Sequence, residues 1–177
     1  MEALYKLRFP IGEYQKPESI SLEYWLHCIA VIEQHPAVLR NTLQGMSQSD
    51  LDIPYRPQGW TSRQVVHHLA DSHMNMLVRL KLALTEEVPT IKPYMEERWA
   101  KLPDYALNPE VSLQLLEALH ERWTILLKSL DEQQRKRTYN HPEYNKQFSI
   151  EHITGFYAWH CQHHTAHIEL VKTTQLT

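Results

Sequence analysis

From Ile153 to Val171 the chain repeats at the period of an α-helix, and half of the core-facing line is histidine. At 100° per residue, Ile153, Tyr157, His160, His164, His167 and Val171 fall within about 40° of one direction. A helix buries such a line against its neighbours, so any fold open to this chain must place imidazoles in its interior. A lone buried histidine is ordinarily a hydrogen-bonded core residue. An i,i+4 pair differs: His160 and His164 have roots about 5–6 Å apart, close enough to share an ion at ~2.0–2.1 Å from each nitrogen. His160 and His167 are about 10.5 Å apart in helical rise, so a third ligand is expected from another helix.

Three further segments have helical spacing. The first starts near Ser19 or Ser21 and carries Leu22, Trp25, Leu26, Ile29, Val31 and Ile32. Pro36 is expected to bend or restart it before Ala37 to Met46 continues. The second opens on Thr61-Ser62-Arg63-Gln64, a capping box with Trp60 as the outer residue of a hydrophobic staple, and runs to about Thr85. The third follows an Asn108 cap with Pro109 in the first helical position, and carries Val111, Leu115, Leu116, Leu119, Trp123, Leu126 and Leu127. The fourth begins near Ser149. Pro89, Pro93, Pro103 and Pro109 crowd the connection between the second and third, around a short helix at 94–100. A connection that long reads as a crossover or a functional loop. Residues 131–147 are polar and suit a turn of helix and a small hairpin. The expectation is one all-α domain over residues 1–177, a four-helix bundle with a long crossover connection between helices 2 and 3.

Charge narrows the function. Lys+Arg number 18 against 21 Asp+Glu, a net charge of −3 without a basic stripe, which argues against nucleic acid as a partner. No run reaches the ~18 apolar residues of a membrane span. Met1 to Tyr14 holds no apolar signal segment, and Cys28 and Cys161 read as reduced thiols, so a cytoplasmic protein is expected.

Seven of the twelve histidines fall within 67–73 and 160–167. In the second helix the apolar stripe through Val66, Leu69, Ala70, Leu77, Leu80 and Leu84 includes His73, whereas His67 and His68 lie well off it. Periodicity thus picks His73 as the inward residue and leaves the ligand on this helix open. Glu117-x-x-His120 matches a di-iron ligand motif, but such sites need two of these motifs and two more glutamates, so it reads as solvated helix surface. No His-Glu-x-x-His is present, which removes the metalloprotease arrangement. Cys161 points about 100° from His160 and reads as a small buried residue.

The runs Pro10-Ile11-Gly12-Glu13-Tyr14, Gly59-Trp60-Thr61, Arg63-Gln64-Val65-Val66-His67-His68-Leu69-Ala70-Asp71-Ser72-His73-Met74-Asn75, Leu84-Thr85-Glu86-Glu87, Leu119-His120 with Arg122-Trp123-Thr124, and Trp159-His160 with His163-His164 and Ala166-His167-Ile168 carry a resemblance. The chain resembles the DinB-like superfamily over nearly its whole length, and within it the YfiT-type branch of metal-dependent hydrolases, whose relatives include bacillithiol S-transferases. The resemblance implies a four-helix bundle with a crossover, a homodimer, and one divalent metal ion per chain. It implies as ligands the histidine directly before Leu in the second-helix motif, His68, together with His160 and His164. His73 then becomes a structural or outer residue, and His67 remains the competitor to His68.

Three imidazoles leave a coordination position open, as in catalytic zinc sites. That position can activate a bound water, or deprotonate a low-molecular-weight thiol for attack on an electrophile. Zinc is the first expectation, although nickel and other transition metals suit the same ligands. Gln64 and Asp71, at i−4 and i+3 from His68, and Tyr157 and His163, beside the fourth-helix pair, are the candidates to orient an imidazole or the substrate. The function expected is a metal-dependent hydrolase acting on a small ester, amide or related molecule. A thiol S-transferase using bacillithiol or a similar thiol is the alternative, and a non-catalytic metal-binding stress-response module is the second.

Overall fold

The computed structural model describes residues 2–175. Along the chain run α1 (Glu2–Arg8), α2 (Leu22–Leu43), α3 (Gln48–Leu51), α4 (Ser62–Thr85), α5 (Glu96–Trp99), α6 (Glu110–Lys128), α7 (Glu132–Arg135), the strands β1 (Thr138–His141) and β2 (Lys146–Ser149), and α8 (Ile150–Gln175). Residues 1, 176 and 177 of the expected domain lie outside the described residues.

The long helices α2, α4, α6 and α8 form the bundle, and side-chain contacts fix their order and direction. Arg40 of α2 bridges Glu110 and Glu117 near the start of α6, so those helices run antiparallel with Glu33 facing Lys128 at the other end. Lys172 of α8 donates to the carbonyls of Thr42 and Gln44, which makes α2 and α8 parallel neighbours. His67 meets Ser112 and His73 meets His120, so α4 and α6 are also parallel. Ser72 meets Tyr157 while His68 meets His160, which sets α4 against α8 in the opposite sense. Parallel neighbours cannot be joined by a tight turn, and residues 86–109 supply the long return from the end of α4 to the start of α6. The expected all-α bundle with its crossover is therefore the architecture observed.

Two apolar clusters fill the bundle. Trp25, Ile29, Ile32, Met76, Leu80, Trp123 and Leu127 belong to one, and Leu39, Val65, Val66, Leu69, Leu113, Leu116 and Ile168 to the other. On α2 and α4 the residues falling between them are His35 and His73, so the clusters enclose a polar layer.

Several local expectations need correction. Helix α2 is unbroken through Pro36. Proline removes the N–H that would bond the Ile32 carbonyl, and that carbonyl instead accepts Nδ1–H of His120 at 2.6 Å. On α6, Val111 and Leu115 are exposed rather than core, while His120 is 1% exposed. Glu117 does lie at the surface as expected, but His120 of the same motif does not. The α6 helix starts at Glu110, one residue beyond Pro109, with the Asn108 side chain accepting from the Glu110 N–H at 2.9 Å. Helix α1 carried no expectation.

The hairpin expected within 131–147 closes with Thr138 opposite Ser149 and His141 opposite Lys146. Its other edge takes the crossover: Ile91 N–H donates to the Asn140 carbonyl and Asn140 N–H to that of Pro89. Crossover and hairpin together form a wall beside α4. Among the described residues no helix is long and apolar enough to cross a membrane.

Candidate metal centre

A local cap begins α4, and contacts with the neighbouring helices decide which way its histidines face. Thr61 Oγ1 accepts from Gln64 N–H, and Gln64 Oε1 accepts from Thr61 N–H, which closes the capping box and begins the helix at Ser62. His67 then faces α6, with Nδ1 at 2.7 Å from Ser112 Oγ and Nε2 at 3.1 Å from the Leu107 carbonyl. One residue on, His68 is turned about 100° and faces α8, its Nε2 3.4 Å from Nε2 of His160. His68, His160 and His164 are all buried, and one ring nitrogen from each lies within 4.8 Å of the others. His67 is thus held elsewhere by both nitrogens.

Burial lowers the pKa of all three. His68 is pushed down to about 3. His160 and His164 are pushed well below the usual imidazole value by burial first and by their neighbouring histidines second. All three are neutral at pH 7, the form a cation requires of a ligand.

The surrounding hydrogen bonds fix which nitrogens carry protons. A carbonyl can only accept, so His120 donates Nδ1–H to Ile32 and keeps a lone pair on Nε2. His73 Nδ1–H donates to that lone pair at 2.7 Å. His73 Nε2 in turn accepts Nδ1–H of His160 at 3.3 Å. Nε2 of His160 is left with a free lone pair. A second chain reaches His164: His167 donates Nε2–H to the Arg8 carbonyl at 3.1 Å, and its Nδ1 accepts Nδ1–H of His164 at 3.3 Å. Nε2 of His164 is likewise a lone pair. Two lone pairs therefore converge beside Nε2 of His68, and a divalent cation fits the donor set.

His35, His73 and Cys161 also bring ligand-type atoms together. That group is less suited to an ion, because both nitrogens of His73 are engaged and burial pushes the Cys161 thiol far above its usual value.

The other expected residues separate. Gln64 uses its side chain on the cap and on the Ala100 carbonyl. Asp71 accepts from the Tyr105 hydroxyl at 2.7 Å. Neither has a hydrogen bond to the three histidines. Tyr157 and His163 do border them: the Tyr157 ring is 5.4 Å from that of His160, and the His163 ring is 5.1 Å from that of His164. His73 is fully buried, as the helical wheel indicated, and bonds a candidate ligand. Sequence reasoning missed His120 and His35. The signal for His120 was its place in the line Leu113, Leu116, His120, Trp123, Leu127, which is the buried face of α6.

The three histidines open onto a cavity of about 560 Å³ walled by Trp60, Tyr94, Phe156 and Trp159 and, across from α4, by Tyr139, His141 and Phe148 of the hairpin. Glu96 of the crossover lines this cavity and a neighbouring cleft that reaches His163, His164 and His167.

Known proteins are similar to this chain in sequence and fold. The sequence profile of the DinB superfamily matches residues 32–168. YfiT of Bacillus subtilis (strain 168) is 52% identical over 163 residues, covering 92% of each chain. A Bacillus cereus (strain 03BB102) protein, also named for metal-dependent hydrolysis, is 51% identical over 166 residues, 94% of this chain and 95% of its own. The solved structure of YfiT, described as a probable metal-dependent hydrolase with an unusual four-helix bundle topology, superposes with a TM-score of 0.93 at 49% identity. It covers 96% of this chain and 98% of the other.

Proposed function

Because the chain belongs to the DinB superfamily, we propose that His68, His160 and His164 hold one divalent metal ion, zinc first, and that the protein is a metal-dependent hydrolase of a small ester or amide. The observation that carries this reading is the convergence of three neutral, buried imidazoles from two helices at the floor of a small-molecule-sized cavity. An ion held by His68, His160 and His164 would supply Lewis acidity and lower the pKa of a water towards ~7.

The chain's own residues do the rest. His120, His73 and His167 hold two of the ligands in the tautomer that aims Nε2 inward. Trp60, with its ring 4.6 Å from that of His68, shields the centre from bulk water. The Tyr157 hydroxyl, kept protonated by burial, donates to the Ser72 carbonyl at 3.4 Å and lies 3.3 Å from Ser72 Oγ, which positions its ring beside His160. Glu96, whose carboxyl is pushed up by burial and by Glu143 and Glu97, is the group to take the nucleophile's proton.

The second reading is S-transfer by a low-molecular-weight thiol such as bacillithiol. The all-nitrogen ligand set favours it, since neutral imidazoles leave the ion its full charge for an anionic thiolate. A homodimer is part of the reading too: Val111, Leu115 and Ile125 share one outer face of α6 and are each exposed. Light scattering on the purified protein checks it.

Metal analysis should return about one ion per chain, and none in His160→Ala. Full metal content in that variant sinks the assignment. An ester panel beside a thiol with chlorodinitrobenzene, each with and without chelator, separates hydrolase from transferase. Chelator-sensitive turnover in neither assay leaves a non-catalytic metal-binding module.

A further inference from the structure

On α4, Ser72 and Arg79 follow His68 at four and eleven residues, within about 40° of one line, so all three face the same cavity. Arg79 is 8% exposed. A buried guanidinium is normally paired with a carboxylate, because desolvating an uncompensated charge is costly. None of the ion pairs among the described residues includes Arg79. Its hydrogen bond is one long contact, 3.5 Å from Nη2 to the Lys92 carbonyl, which leaves most of its five donors without a protein partner.

The wall opposite repeats the pattern. Tyr139 and His141 alternate along β1 and so point to one side of the strand, both buried and both lining the cavity. Neither the Tyr139 hydroxyl nor Nδ1 of His141 has a hydrogen-bond partner in the protein. Burial, and then the Arg79 charge, lower the His141 pKa, against a smaller opposing effect of Glu143, which also lines the cavity. Two buried groups without a protein partner, Tyr139 and His141, and a guanidinium with a single long hydrogen bond thus share one end of the cavity.

We infer that Arg79, Tyr139 and His141 form an oxyanion-binding subsite that holds a carboxylate or phosphoryl group of the substrate while the reacting centre lies at His68, His160 and His164. Arg79 sits about 16 Å beyond His68 along the helix axis, and its side chain leans back towards the N-terminus. The distance from guanidinium to metal centre is then on the order of 10 Å, which selects an anionic small molecule of several bonds' length. This assignment of substrate class rests on the metal-centre reading for its reacting end only.

Two probes test the subsite without turnover: glutarate for a carboxylate and phenylphosphonate for a phosphoryl group. Binding is read from the fluorescence of the cavity tryptophans, Trp60 and Trp159, in protein stripped with phenanthroline and dialysed. One or both probes should bind the wild type, the better of them naming the oxyanion. Arg79→Met should weaken that binding about 10–100-fold, the worth of a charge-assisted pair, with Arg79→Lys between. Equal binding in Arg79→Met or no binding in the wild type overturns the subsite. Metal content is measured separately: normal uptake with no anion binding defeats the subsite alone, and Arg79-dependent anion binding without metal uptake defeats the metal centre alone.

Discussion

The carbonyl of Ile32 decides the chemistry of a histidine three rings away. Because it accepts only, it fixes His120, then His73, then His160 in the Nδ1–H tautomer, the minor form of a free imidazole. In metal-free protein, 15N NMR should find that tautomer at all three positions; Nε2–H at His160 would contradict the chain. His120→Phe should weaken metal binding about 10–100-fold in a competition titration while leaving the ligands themselves in place. The same burial makes metal-free protein acid-sensitive. His35 is pushed down to about 3 and His120 to about 4, chiefly by burial. Unfolded, each titrates near 6.5, so the unfolded state binds more protons between those values and stability falls as pH drops from about 6.5. By pH 5 a histidine shifted as far as His35 has cost about 2 kcal/mol. Denaturation at pH 7 and pH 5 with chelator should show the loss, and unchanged stability would refute it.

At the scale of elements, Pro36 and the Thr61 cap show how local sequence reaches the site. A proline inside a helix should break it, yet α2 continues because the carbonyl it frees finds His120 on α6. The start of α4, in contrast, is wholly local, and its capping box was legible in the sequence. Thr61→Ala should cost about 1 kcal/mol in a urea titration without changing metal content, since tertiary contacts hold His68. Helix α6 was legible as a helix but not in its facing. Its apolar residues extend round to Val111 and Leu115, and only packing against α2 and α4 shows that the line through His120 is the inward one.

For the molecule as a whole, the proposed metal centre would tie α4 to α8 across the bundle. An ion that binds only the folded state should raise the melting temperature, by the equivalent of about 4 kcal/mol at a thousandfold excess over Kd. His160→Ala should abolish that rise in a calorimetric scan with and without zinc. The crossover and hairpin, remote in sequence, meet through Ile91 and Asn140 to wall the cavity. Removing their packing should change which small molecules bind, not the helical content.

Periodicity and contacts within a few residues were enough to read the long helices, the Thr61 cap, the crossover and the pairing of His160 with His164 from the chain alone. The choice of His68 over His67 lay beyond the wheel, and resemblance alone supplied it. A single apolar stripe describes a helix with one buried face, whereas α4 packs against α6, α8 and the crossover and buries His67, His68 and His73 on different sides. Which neighbour each of them meets follows from the packing of the whole bundle. That packing also sets the tautomers and places Arg79 against the cavity, since both depend on groups brought together from five helices and a strand.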